Sequence, residues 1–260
     1  MDCPCGTANS VTPASPNTRA EEAPPISGGQ ANSAGEAASV GRRPSARQTW
    51  GKVLTTVTTH FWFKCFGTLA FLSIFFFGYI YLLKNPASNV FVMPTTFVDR
   101  LVDFEPWALP IYLSLWLYVS LPVMLMLSRA EIVRFGGWIG SLCLVGLAIF
   151  YCWPNAVPPA NIDWARYPGV AFLKGVDAAG NACPSMHVAS AVFSAYWLHW
   201  QLRAAGLGRR LRLLNVGWCL AIAYSTMATK QHVALDVVAG AALGLVWAWW
   251  SRPMRQLAPA

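Results

Sequence analysis

Three stretches of this chain, Cys65–Leu83, Trp107–Ser128 and Phe135–Trp153, run without a single charged residue. Each is close to the ~20 residues that a helix needs to cross a hydrocarbon core. In lipid every backbone N–H and C=O must be bonded within the protein, so such runs restrict the chain to transmembrane helices. Three further segments, Pro184–Leu202, Leu213–Thr229 and Val233–Trp250, are shorter or carry polar residues near one end. Together they predict six spans and an all-α fold, an integral membrane six-helix bundle. Composition agrees. Charged residues make up 12% of the chain, against roughly 25% in soluble domains.

The first 48 residues differ from everything after them. They contain no Phe, Trp or Tyr and are rich in Ala, Ser, Gly, Pro and Glu. That is too little apolar surface to offset the entropy of ordering. The expectation is a disordered tail over 1–48 followed by a membrane domain over 49–255. The tail lacks the charged start and apolar core of a secretory signal. Cys3 and Cys5 form a lone pair within it, too few ligands for a structural metal site. The other five cysteines lie in or beside apolar runs, where Cys behaves as a small hydrophobe; Cys152 and Cys183 alone flank one loop and suit a disulfide by position.

Basic residues set the expected orientation. With both termini cytoplasmic, fourteen of the 19 Lys and Arg fall inside, counting Lys64 at the inner end of the first span, where it can snorkel to the surface. Lys84, Arg100, Arg166, Lys174 and Lys230 remain outside. This is the positive-inside pattern. It accounts for the net charge of +8 without nucleic acid as a partner.

Under that orientation two polar clusters share the outer face. The first is "NACPSMHVAS", residues 181–190, and the second "TKQHVALD", residues 229–236. His232 and Asp236 are four apart and so share one face of a helix. A carboxylate there can hold one imidazole nitrogen and leave the other free to attack. Ionisable residues within a span are functional candidates; a solvated Asp236 at the interface is the plainer alternative. In the first cluster Pro184 suits a first helical turn, and Ser185 and His187 then sit near free N–H groups at a positive helix end, a natural anion site. A serine cap beside an incidental histidine is the plainer reading of that cluster taken alone. Together the clusters suggest phosphoryl transfer: a histidine nucleophile oriented by a carboxylate, a second histidine as general acid, and a serine, backbone N–H groups and cations for the phosphate oxygens. No carboxylate cluster suited to Mg²⁺ accompanies them, so no metal and no cofactor are expected.

These residues resemble the type 2 phosphatidic acid phosphatase superfamily, whose members have six spans and the motifs K-x6-R-P, P-S-G-H and S-R-x5-H-x3-D. Pro184 to His187 reads P-S-M-H, and Ser225, His232 and Asp236 stand in register with the third motif. The resemblance implies His232 as nucleophile, Asp236 as its partner, His187 as acid and Ser185 as phosphate ligand. Three departures remove groups that the family uses: Met186 replaces the motif glycine, Thr226 replaces the arginine, and no K-x6-R-P occurs. Lys230 is the candidate to replace the arginine, with Arg166 and Lys174 from the outer loop 154–183. The pattern is most similar to the inositolphosphotransferase-like branch, which includes inositol phosphorylceramide synthases. The expected substrate is therefore a membrane lipid with a phosphate head group. Water as acceptor makes the protein a phosphatase; a lipid alcohol makes it a head-group transferase. A catalytically eroded scaffold or a transporter is the rival class.

Other polar residues read more simply. His199 suits the inner interface, Asp177 a turn, and Asp99, Asp103 and Glu105 a solvated or interfacial helix. The expected address is a multi-pass protein of a bacterial inner membrane, its site on the periplasmic or lumenal side. A reporter enzyme active only on the outer side should be silent when fused behind Ala260 and active behind Ser88; the reverse pattern inverts the topology.

Overall fold

The run from Phe61 to Lys84 forms one uninterrupted 24-residue helix, as its lack of Pro allows. In the computed structural model, residues 46–176 and 180–251 are described, with side chains from 51 onward apart from Lys52 and Val176. The tail assigned to 1–48 lies almost wholly outside these residues, as does Asp177. In chain order the helices are α1 (Ala46–Thr58), α2 (Phe61–Lys84), α3 (Phe97–Leu101), α4 (Leu109–Leu113), α5 (Leu115–Met124), α6 (Arg129–Cys152), α7 (Pro168–Val176), α8 (Met186–Ala204), α9 (Arg209–Ala228) and α10 (Ala234–Ser251). The fold is all-α apart from two-residue strands β1 (Phe91–Val92) and β2 (Asn155–Ala156), paired in parallel.

Five helical stretches among the described residues are long and apolar enough to cross a membrane: α2, Pro106–Met124, α6, α9 and α10. This is a multi-pass membrane protein. The remaining expected span is the 19-residue α8, and its position explains its weaker apolar signal. It is the central helix, packed against α5, α6, α9 and α10. Enclosed by protein, it can carry Ser194 and Gln201 buried, which a lipid-facing helix could not.

Side-chain hydrogen bonds cross between helices in this interior. Trp197 donates to Ser251 Oγ at 2.9 Å, and Tyr118 donates to Asn215 Oδ1 at 2.7 Å. Such bonds substitute for the hydrophobic effect, which does not drive helix association in lipid. Lys64 departs from the expectation that it reaches a surface. It is fully buried, and its Nζ donates to the carbonyls of Thr56 at 2.6 Å and Met124 at 3.0 Å. The Met124 carbonyl ends α5 and has no helical partner, so the buried ammonium is satisfied by a helix terminus.

The closest helix contact is between α8 and α10. A Cβ on Gly240 would lie 2.4 Å from the Ser185 carbonyl oxygen, and one on Gly244 would lie 2.5 Å from that of Ala189. The pair is a small-x3-small spacing that lets two backbones touch. The obstacle in each case is backbone, which cannot step aside. Gly240→Ala and Gly244→Ala should therefore each force the helices apart at a cost of about 1–3 kcal/mol. This should appear as a lowered thermal midpoint in detergent, with Gly137→Ala, at an open position, unaffected.

Candidate active site

The loop entering α8 is held by a residue to which the sequence pattern drew no attention. Asn155, buried, accepts from the backbone N–H groups of Ala182 (2.8 Å) and Cys183 (2.7 Å) through Oδ1. Its Nδ2 donates to the carbonyls of Cys183 (2.8 Å) and Trp153 (2.9 Å). Asn181 adopts a left-handed φ of 52° and donates to the Tyr79 carbonyl at 3.0 Å. Ala156 also bridges to Gly180. The loop thus arrives already bonded. Pro184 falls just before the helix, and Ser185 is the N-cap, its Oγ accepting from Val188 N–H at 3.3 Å. Met186, in place of the motif glycine, fills the space beside Gly146, where a Cβ would come within 2.2 Å of its sulfur.

The second histidine is placed by the end of α9. Lys230 N–H donates to Met227 O and Gln231 N–H to Thr226 O, both at 2.9 Å. These two bonds, with Lys230 at φ 56°, make a Schellman turn. A lysine occupies the left-handed position that normally takes glycine, at a cost of roughly 1–2 kcal/mol. His232 N–H also reaches Thr226 O, at 3.1 Å. The first turn of α10 is capped twice: Asp236 Oδ2 accepts from Val233 N–H at 2.9 Å, and Asp99 Oδ1 accepts from Ala234 N–H at 2.7 Å. Asp99 was read as a solvated or interfacial residue; it ties the first loop to the site instead. Its other oxygen accepts from Thr96 N–H and Oγ1 at 2.6 and 2.8 Å.

These devices bring the two clusters into contact. The His187 and His232 ring centroids are 5.5 Å apart, with His187 Nδ1 3.3 Å from His232 Nε2. His232 Nδ1 is 3.5 Å from Asp236 Oδ2, longer than a hydrogen bond but closed by a small ring rotation; catalytic contacts commonly tighten only around substrate. Asp236 is fully buried, and a buried carboxylate is stable only with partners. Ser185 N–H donates to the Asp236 backbone oxygen at 3.0 Å. On its far side His187 meets a residue not anticipated at all: Tyr112 Oη lies 2.6 Å from its Nε2, in a phenol that is 1% exposed. Nothing local in "LPIYL" marks Tyr112, because only the tertiary structure, in which α4 packs on α9, brings the phenol to His187.

Two unlike cavities flank the pair. On the His232 side the more polar one, of about 180 Å³, sets Lys230, Asp99 and Thr95 among Val, Pro, Ala and Met side chains. On the His187 side an apolar one is lined by Trp116, Tyr79 and Leu115. Of the three predicted cations, Lys230 lines the polar cavity and donates to Val102 O. Lys174 donates to the Lys230 carbonyl at 2.5 Å and lies 5.2 Å from the Trp164 ring centre. Arg166 pairs with Asp163 at 3.1 Å on the surface, 78% exposed, and does not line either cavity. Among the described residues no three His, Cys, Asp or Glu side chains converge as metal ligands.

Cys152 and Cys183 are both unbonded thiols. Burial, with the Asp236 carboxylate beside it, pushes the Cys183 thiol up to about 11, so it stays protonated and inert near neutrality.

Residues 136–259 match the family model described as the PAP2 superfamily. A domain of that superfamily is present, and it contains Ser185, His187, His232 and Asp236 in a His/His/Asp arrangement of the superfamily's catalytic type. Tyr112 and Asp99 lie outside the matched segment. No curated protein and no solved structure matches the chain. Asn155→Ala should leave three buried backbone groups without their partner and cost of order 2–4 kcal/mol, measured as a fall in the thermal midpoint exceeding that of Asn85→Ala at an exposed helix end.

Proposed function

With a PAP2-superfamily domain at 136–259 as premise, we propose that the protein transfers the phosphoryl group of a membrane lipid phosphate through a phosphohistidine on His232. The observation that carries this reading is the position of the histidine pair between a cavity that holds Lys230, Asp99 and Thr95 and a second lined almost wholly by apolar side chains, which suits an amphiphile whose phosphate and chain lie on opposite sides. Asp236 holds His232 Nδ1, so Nε2 attacks phosphorus. The bond from phosphorus to the lipid oxygen breaks, and His187 gives its proton to that oxygen. Water then loses a proton to His187, its oxygen bonds to phosphorus, and His232 is released with inorganic phosphate. The 3.3 Å contact between the rings leaves no room for a phosphoryl group, so substrate takes the place of that bond. His187 acts as the imidazolium: its Nε2–H donates to Tyr112 Oη, which fixes the ring with its Nδ1 proton facing His232. Ser185, the first N–H groups of α8 and Lys230 hold the phosphate oxygens, with Lys174 bracing the Lys230 turn.

The wider assignment follows the same line: α8 is the fourth of six spans, both termini face the cytoplasm, and the site faces the outer leaflet. Hydrolysis of a monoester or diphosphate is the favoured outcome. Head-group transfer to a lipid alcohol, in the manner of the inositolphosphotransferase-like branch, is favoured by a second apolar cavity of about 400 Å³ beside Tyr112 and Trp116, a berth for an acceptor chain.

The test is purified protein in nanodiscs with a panel of lipid phosphates and lipid alcohols, scoring released phosphate and new phospholipid together. Turnover should persist in EDTA, since the proposed chemistry runs through histidines. His232→Ala should lose the acid-labile phosphoenzyme and all turnover, and His187→Ala should lose about 10²–10⁴ in rate. Full activity in His232→Ala refutes the mechanism. Lys230→Met should raise KM, with partial recovery in Lys230→Arg because a guanidinium fork and a point charge bind phosphate differently. Unchanged kinetics in Lys230→Met beside a loss in Arg166→Met would move the clamp to the loop.

A further inference from the structure

The apolar cavity at His187 does not stand alone. Behind it, between α2, α5 and α6, lies a second of about 210 Å³ that ends on buried Lys64. The two share Phe71, Leu72, Val119 and Ile139 as common walls. From Lys64 to Tyr79 α2 climbs roughly 22 Å, well over half of a ~30 Å hydrocarbon core. The lane therefore runs deeper than one leaflet.

Gly67 on α2 and Gly136 on α6 both line the deeper cavity, and a Cβ on either would meet nothing within 4 Å. Gly240 and Gly244 are required because another backbone touches them; Gly67 and Gly136 touch nothing. Both positions have room for a larger side chain, and one placed at either would border the cavity they line.

We propose that this lane binds the hydrocarbon chain of the substrate lipid, with the chain end near Lys64, and that Gly67 and Gly136 set the longest chain accepted. The proposal rests on the lipid-phosphate reading of the histidine site. The lane begins at His187 and continues between α2, α5 and α6 along shared walls, so a chain lying along it has its head at the histidine site. Lys64, bonded to two carbonyls, closes the far end to further methylenes.

The experiment compares single-chain alkyl phosphates of increasing length with the wild type, Gly67→Leu, Gly136→Leu and, as control, Gly137→Leu, whose exposed position lies outside the cavity lining. Turnover is measured, and binding is scored separately by native mass spectrometry. The expected result is a tenfold or greater loss of kcat/KM and of binding for the longest chains in both cavity variants. The shortest chains should be handled as by the wild type and by Gly137→Leu. Equal effects at all lengths, or none, overturn the lane. Chain-length-dependent binding without turnover on any phosphate keeps the lane and removes the function proposed above, so the two readings fail separately.

Discussion

The contact between α8 and α10 is the constraint from which the rest of the structure follows. Ser185 belongs to one helix and Asp236 to the other, and a backbone hydrogen bond of 3.0 Å joins them. That bond exists only because Gly240 and Gly244 present no side chain to the facing carbonyls. Two clusters separated by more than 40 positions thereby become neighbours at fixed depth. Each histidine inherits its place from its helix end: His187 from the cap at Ser185, His232 from the turn that closes α9.

A polar site inside a bilayer protein has to be satisfied throughout, since each unpaired buried group costs about 1–3 kcal/mol. The surrounding loops meet this demand largely with side chains acting on backbone. Asn155 serves both the strand pair and the loop before α8; Asp99 serves both α3 and α10. Asp236 Oδ1 and His232 Nδ1 are buried without hydrogen bonds, as are Ser194 Oγ, Gln201 Oε1, Arg212 Nε and Gln231 Nε2 among the described residues. Unsatisfied potential at the pair where chemistry is proposed suits a site that completes its bonding around a ligand.

The three departures from the family motifs are compensated unequally. Met186 is accommodated by Gly146, a trade of bulk across the α6–α8 contact that preserves packing. Thr226 keeps a structural task, since its carbonyl receives the N–H groups of both Gln231 and His232. Four residues later Lys230 holds a left-handed conformation that a lysine adopts only when its surroundings enforce it, and its ammonium donates to the Val102 carbonyl.

The long apolar runs determined by themselves that the chain is a bundle of membrane helices, because hydrogen-bond satisfaction in lipid leaves no other solution for uncharged segments of that length. The nearness of His232 to Asp236 and of Ser185 to His187 was legible in their spacing, but not the reason for it: His232 stands in the turn before α10 (Ala234–Ser251) rather than on its face, and Ser185 is the cap of α8. What no run of residues disclosed was decided by packing. Tyr112 reaches His187 across 75 positions, Asn155 ties down a loop 27 positions on, and Asp99 caps a helix 135 positions away. Lys64, which by local pattern belongs at a surface, is buried because a helix end happens to offer its carbonyl there. The fourth expected span has a weak apolar signal for a related reason: a helix enclosed by its neighbours is relieved of facing lipid. Local periodicity records only what each segment meets on average, and the tertiary structure decides which particular atoms fill that environment.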